Sequence, residues 1–375
     1  MTKALHIICF DIPFPPSYGG AIDVFYRLQA LAQAGVKITL HCTYKGTLTH
    51  FEELESLCQK VYYYPRDLGW KRFFSILPYA VNGRRNSELL THLLADDAPI
   101  LFEGLVDCYF LNHPALANRK KFFRECNVEH DYYHALGQAT SCLWKKCYFH
   151  LEACRLKRFE SVLQSANGIL ALAHQDEQHF RQCFPTIPTY YLPCFHENKQ
   201  VQSALGNGDF ILYHGNLSVA ENDCAALYIA EEVAPLIPDI PITIAGKGAS
   251  QHLQQVCSQQ ENIRLVNNPS QEQMHELIQT AHIHLMLTFQ GTGIKLKLIN
   301  ALYQGRFVVA NDSMLVGTPL ASACVIGNTP QEIARQCQAL MAMPFTAEDI
   351  EKRKKILAPW DIRTLSQQLI SILFA

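Results

Sequence analysis

Short, almost wholly apolar runs recur along this chain, and between them the apolar residues fall at helical spacing. ALHIICF (4–10), VKITLHCTY (36–44), KVYYYP (60–65), PILFEG (99–104), KKFFREC (120–126) and GILALA (168–173) have the length of strands, and stretches such as AIDVFYRLQALAQAG between them repeat near 3.6 residues. Strands apolar on both sides need cover on both faces, which a parallel sheet with helical crossovers supplies. The alternation pauses at YLPCFHENKQVQSALGNGD, a polar stretch bounded by Pro193 and Gly208, and then resumes. FILYHG (210–215), ITIAGKG (242–248), IRLVNN (263–268), IHLMLT (283–288), RFVVAN (306–311) and CVIGN (324–328) are the strands of the second series. The pattern predicts an α/β chain with two Rossmann-like, doubly wound parallel sheets. Their expected limits are 1–193 and 209–358, with a linker at 194–208 and a final helix in 359–375 packing back on the first domain. A length of 375 residues exceeds one ordinary core and agrees with two. Ligands of such sheets bind beyond the carboxyl ends of the strands, so the cleft between the halves is the expected site.

A net charge of -2 argues against bulk nucleic-acid binding. The N-terminal run is cut short by Asp11 and prolines and reads as a first strand, not a signal peptide. Nowhere do 18 apolar residues run together, so no membrane span is expected. The 14 cysteines show no CxxC spacing and read as reduced core residues of a cytoplasmic protein without a metal site or cofactor.

Glycine pairs fall where these strands end. Gly19 and Gly20 open the first helix, where free N–H groups and the helix dipole can hold an anion; a tight turn alone is the alternative. Gly246-Lys247-Gly248 and Gly291-Thr292-Gly293 repeat the arrangement after the second and fourth strands of the second half. Glycines there let main-chain amides approach a ligand. Lys295 and Lys297 follow in the first turn of a helix, an unfavourable place for a cation unless an anion compensates. They stand about 200° apart on a helix, so one at most faces a given ligand. Lys295, nearer the turn, is the first choice for charge stabilisation.

In order and spacing these motifs resemble a GT-B glycosyltransferase of the large retaining family 4 kind. PFPPSYGGAIDVFYRLQALAQAGVKITL looks like that family's opening strand, glycine loop and first helix; RECNVEHDYYHAL is similar to its R-x-H-N-x-E-H-x-Y-Y segment, and GILALAHQDEQHF to the end of its first domain. LYHGNLSVAEN, ITIAGKG and GTGIKLKLINALYQGRFVV look like its donor half. The resemblance implies transfer of a sugar from a nucleotide-diphospho-sugar to a saccharide or lipid-linked acceptor, with retention and without a metal. It places Gly215, Asn216, Asn222, Gly246, Lys247, Gly248, Gln290, Gly291, Thr292, Gly293, Ile294, Lys297 and Asn300 on the donor side, with Gly19 and Gly20. His130 and Glu129 become catalytic candidates beside Lys295, and Glu103 and Asn127 acceptor candidates. His130 alternatively caps its helix or packs locally.

Departures accompany the likeness. Many members carry an Arg and a Lys six residues apart after the first donor-domain strand; here Asn216 and Asn222 stand there. Gln290 and Asn300 stand where an acidic pair is usual, with two extra residues between the glycines and Asn300, and Cys126 replaces the histidine before Asn127. Amides still bond sugar hydroxyls, so binding survives this better than a role needing charge.

The stretch LGWKRFFSILPYAVNGRRN (68–86) mixes aromatic and basic residues. It reads either as a peripheral contact with the inner face of an anionic membrane or as an amphipathic helix packed on its own domain. Two function classes remain as alternatives: a GT-B nucleotide-sugar epimerase, and a two-domain solute-binding protein, against which the missing export signal and the cysteines weigh.

Overall fold

The computed structural model describes residues 3–140, 142–289 and 296–375. The chain divides into unit 1, Met1–Glu197 with Ile362–Ala375, and unit 2, Asn198–Asp361. In unit 1 seven strands form one sheet: β1 (Ala4–Cys9), β2 (Lys37–Tyr44), β3 (Lys60–Pro65), β4 (Ile100–Glu103), β5 (Lys121–Arg124), β6 (Gly168–Ala171) and β7 (Thr189–Tyr191). Their order is β3-β2-β1-β4-β5-β6-β7, and every neighbouring pair is parallel. Unit 2 holds β8 (Ile211–His214), β9 (Ile242–Gly246), β10 (Ile263–Asn267), β11 (Ile283–Met286), β12 (Phe307–Ala310) and β13 (Val325–Ile326). Their order, β10-β9-β8-β11-β12-β13, is again parallel throughout. The twice-repeated α/β architecture expected from the apolar runs is therefore the observed one. The strand β7 was not foreseen, because three residues flanked by prolines carry no readable period.

Alternation along β1 shows why both faces need cover. Leu5, Ile7 and Cys9 join one apolar cluster with Val24, Leu28 and Leu31 of the helix Gly19–Gln33. The same cluster takes Leu365, Leu369 and Leu373, four residues apart on the helix Ile362–Leu373, which is why the end of the chain belongs to unit 1. Ile8 faces the opposite cluster with Phe102, Phe123, Leu156 and Phe180. Each such large side chain contributes roughly 1.5–3 kcal/mol through burial.

Residues 194–208, expected as a linker, are fastened to the unit on either side. Cys194, Phe195 and His196 are buried, and the Phe195 N–H donates to Asp23 Oδ1 at 2.6 Å. Asn198 bonds Asn300 and Gln304 at 2.7 Å each, and Ser203 donates to the Gly305 carbonyl at 2.5 Å. The crossing falls at 197 to 198.

Two further expectations are corrected. All 14 cysteines are free, but only some are core residues: Cys9, Cys42, Cys108, Cys194, Cys257 and Cys337 are buried, whereas Cys142, Cys147, Cys154, Cys183 and Cys224 are exposed. The stretch 68–86 is no continuous helix; it forms a single-turn helix, Trp70–Phe74, and a short one, Tyr79–Asn82, with Pro78 between them. Proline lacks the N–H that a continuous helix needs.

Candidate functional site

In both sheets the strand order reverses beside the first strand, at β1 next to β4 and at β8 next to β11, and chains of this topology bind ligands at the carboxyl end of that junction. At the unit 1 junction, residues 10–18 leave β1 and Gly19 and Gly20 start the next helix, both half-buried. A Cβ on Gly20 would come within 2.8 Å of the Phe10 ring, so this turn requires glycine for close approach. Across the junction Gly104 has φ 76° and lies against Phe10 and Cys126. The ends of β1, β4 and β5 thereby converge.

Beneath them lies a buried charge network. Asp23 accepts from Arg27 at 2.7 Å, from Arg124 at 3.1 and 3.2 Å and from the Phe195 amide. Arg124 also donates to the Leu192 and Pro193 carbonyls at 2.8 and 3.1 Å. Glu103 pairs with Arg27 at 2.6 Å and is wholly buried. Burial pushes the Glu103 carboxyl up to about 7 against the pull of Arg27. Glu103, offered by the sequence as an acceptor contact, therefore sits inside this network instead of at the surface. Asp23 and Arg27 carried no sequence signal, and Arg124 entered only as the first residue of RECNVEHDYYHAL, because their partners are 68 to 172 residues away except for the i,i+4 pair.

Glu129 and His130, adjacent in sequence, face different surroundings. Glu129 is half-buried at the start of the helix Glu129–Ala139; burial raises its carboxyl to about 7, with Arg84 pulling the other way. His130 instead meets Glu160 at 3.5 Å, and its ring lies 5.7 Å from that of His179. The contact with Glu160 raises its pKa in spite of partial burial. Side chains one residue apart on a helix diverge by about 100°, so this segment delivers the two groups to separate places. Asn127 is half-buried just before that helix. Glu160, His179 and Cys183 form a group among the described residues with ligand atoms within 4.8 Å. No CxxC-type spacing announces it, since Glu160 comes from a different element from His179 and Cys183.

At the unit 2 junction the described donor-side candidates mostly gather. Lys297 Nζ donates to Asn222 Oδ1 at 3.0 Å and to the Leu287 carbonyl at 3.3 Å, and lies 5.4 Å from the Tyr213 ring centre. Asn222 Nδ2 donates in turn to the Asn216 carbonyl at 2.9 Å. Asn216 Oδ1 accepts from the Ser218 hydroxyl at 2.6 Å. His214, buried under this cluster, is held neutral, its pKa lowered to about 4 by burial and then by Lys297. The two asparagines that depart from the family's cationic grip are thus wired to a lysine on another helix, Leu296–Gln304.

Gly215 and Gly246 meet where β8 and β9 end, a Cβ on Gly246 falling 1.9 Å from the Gly215 carbonyl oxygen. Lys247 is exposed, and Gly248 takes φ 75°. The amides offered by this turn are engaged differently from the expected anion cradle: Gly248 N–H donates to Asn268 Oδ1 at 3.0 Å and Ala249 N–H to Asn267 Oδ1 at 3.1 Å. Asn300, three residues after Lys297 on the same helix, accepts from Asn198 Nδ2 at 2.7 Å. Sequence reading missed Glu221, which accepts from the Thr288 hydroxyl where β11 ends. Gln290, Gly291, Thr292, Gly293, Ile294 and Lys295 lie outside the described residues.

Two doubly wound parallel sheets of seven and six strands, one in each unit, give the chain the GT-B class of fold. Residues 208–343, within unit 2, match the family model described as Glycosyl transferases group 1. The chain is 28% identical over 347 residues, 88% of each chain, to an uncharacterized 44.6 kDa protein in the cps region of Klebsiella pneumoniae. Among solved structures it resembles sucrose-phosphate synthase from Thermosynechococcus elongatus (TM-score 0.67, 14% identity, 99% of each chain). It also resembles TarM (TM-score 0.66, 10% identity, 100% of this chain and 99% of that one). At these identities the solved structures establish the fold alone.

Proposed function

We propose that the protein transfers a sugar from a nucleotide-diphospho-sugar to a saccharide or lipid-linked acceptor, with retention at the anomeric carbon and without a divalent ion. The observation that carries this reading is the Lys297–Asn222–Asn216 chain at the carboxyl end of β8. As the bond from the sugar C1 to the diphosphate oxygen breaks, the electron pair leaves with the phosphate, and an ammonium in a half-buried site stabilises that charge. The relative from a cps region supports a role in polysaccharide biosynthesis. Incubating the purified protein with a panel of nucleotide sugars, with and without oligosaccharide acceptors and with chelator throughout, tests it. Acceptor-dependent release of nucleoside diphosphate in chelator is expected. Conversion of the donor alone would indicate an epimerase, and complete loss of turnover in chelator, restored by a divalent ion, would reject the metal-free mechanism.

On the acceptor side we assign Glu129, not His130, to contact the incoming hydroxyl. Its ionised form accepts that hydrogen bond, so kcat/KM rises with pH through about 7, where Glu129 titrates. In Glu129→Gln this limb disappears; its persistence in the variant excludes Glu129 as its source.

Among the described residues no helix is long and apolar enough to cross a membrane. A cytoplasmic enzyme resting on the inner membrane face would use another feature. Trp70 (67%), Phe74 (80%), Ile76 (81%) and Trp144 (86%) are strongly exposed. The two segments adjoin, Phe73 lying 5.8 Å from Tyr148, and Lys71, Lys145 and Lys146 are exposed beside them. Apolar rings rimmed by lysines suit an anionic headgroup layer. Sedimentation with anionic vesicles should weaken by roughly 10-fold or more in a Trp70→Ala/Phe74→Ala variant. Equal sedimentation of variant and parent would remove the membrane assignment.

A further inference from the structure

A cavity of about 420 Å³ opens in unit 1 beyond the carboxyl ends of the neighbouring strands β1, β2 and β3. Residues that follow each strand line it, among them Asp11, Lys45 and Arg66, and Arg84 joins them from the turn after Tyr79–Asn82. Arg84 is pinned through its side chain and Arg66 only at its main chain. The Arg66 main-chain N–H donates to the Tyr44 carbonyl at 2.8 Å, and the Arg84 guanidinium donates to the carbonyls of Ala80 at 2.8 Å and Phe10 at 3.1 Å.

The charge at this cavity is unbalanced. Among the described residues neither Lys45 nor Arg66 has a carboxylate at ion-pairing distance, and Arg84 has only Asp107, at 3.3 Å. Asp11, the acid in the wall, already accepts from the Ile12 amide at 2.9 Å and the Tyr18 hydroxyl at 3.2 Å. The Arg66 Nε is buried and has no hydrogen-bond partner. Arg66 pulls the Lys45 ammonium below its usual range, while burial and then Arg84 do the same to Arg66. Three cations converging on a cavity repel one another until an anion enters.

We propose that this cavity binds a phosphate-bearing ligand, held by Lys45, Arg66 and Arg84. The Arg66 guanidinium and the Lys45 ammonium, with the charge of Arg84 beside them, match the double charge of a phosphate monoester, and the volume suits a phosphorylated mono- or disaccharide. That the ligand is the sugar acceptor rests on the function proposed above; that the cavity binds phosphate does not. The phosphate belongs either to a soluble sugar phosphate or to a lipid-borne group, and the test has an arm for each.

Calorimetric titration of the full chain with a hexose 6-phosphate, the same hexose without phosphate, and inorganic phosphate, alongside sedimentation with phosphatidylglycerol vesicles, reads the site directly. The phosphorylated hexose should bind at least roughly 10-fold more tightly than the neutral one, and Arg66→Met and Lys45→Met should each erase about 10-fold or more of that preference. Loss in the hexose phosphate arm assigns a soluble ligand. Loss confined to the vesicle arm assigns a lipid-borne phosphate, and no loss in either arm overturns the proposal. The thermal shift produced by UDP, measured on the same variants, separates the two readings. Unchanged UDP binding with lost phosphate binding places the defect in this cavity, whereas absent nucleotide-sugar turnover with intact phosphate binding rejects the transferase reading alone.

Discussion

Lys297→Ala lowers turnover by about 10²- to 10³-fold, corresponding to a barrier increase of about 3–4 kcal/mol for removal of an oxyanion-type donor. The ammonium reaches Asn222 Oδ1 at 3.0 Å from the second residue of its helix, and Asn222 passes the contact on to Asn216. Its interaction strengthens as the diphosphate departs, so kcat carries the loss. Because Lys297 also holds the Leu287 carbonyl, circular dichroism and a Lys297→Arg variant serve as folding controls. Activity recovered in the Arg variant and absent in the Ala variant is the expected pair of results. Near-parental turnover in Lys297→Ala would return the phosphate role to backbone amides, to Lys247 or to Lys295, whose own Ala variant belongs in the same series.

Asp23→Ala destabilises unit 1 by about 3–5 kcal/mol, the range found when one partner of a buried ion pair is removed. Two fully buried guanidiniums, Arg27 and Arg124, lose their common carboxylate, and the Phe195 amide loses its acceptor. Burial alone would raise the Asp23 carboxyl, but Arg124 and Arg27 outweigh it and hold the group below its ordinary value. An acid lowered in the folded state contributes stability that is complete above its unfolded pKa, about 3.9, and is lost as pH falls through the folded value. Urea unfolding at neutral pH and at pH 3 measures both effects. A change below about 1 kcal/mol at neutral pH would mean that water or rearranged carbonyls satisfy the two arginines.

The strands were the most legible part of the chain because burial on both faces demands continuous apolar runs, and all twelve segments read as strands contain observed ones. Legibility dropped where a residue's role depends on distant partners. Glu103 stands at a strand end, where ligand contacts are common, yet Arg27 captures it. Glu129 and His130 form one motif in sequence, but the helical turn sends one toward Arg84 and the other toward Glu160. The Gly248 and Ala249 amides were open to an anion on paper; Asn267 and Asn268, arriving from β10, take them.

Periodicity and turn chemistry by themselves determined two parallel α/β sheets, glycines at the strand ends and a lysine-bearing helix after the fourth strand of the second half. These follow from local rules: an apolar run must be covered, and a close approach needs a residue without Cβ. Only the tertiary structure decided that Asn222 turns its amide to Lys297, that Arg66 and Arg84 share one cavity, and that Asp23 ties together two arginines and the chain at 195. Such pairings join segments up to 172 residues apart, and the strength of each depends on how far water is excluded around it, which no local pattern encodes.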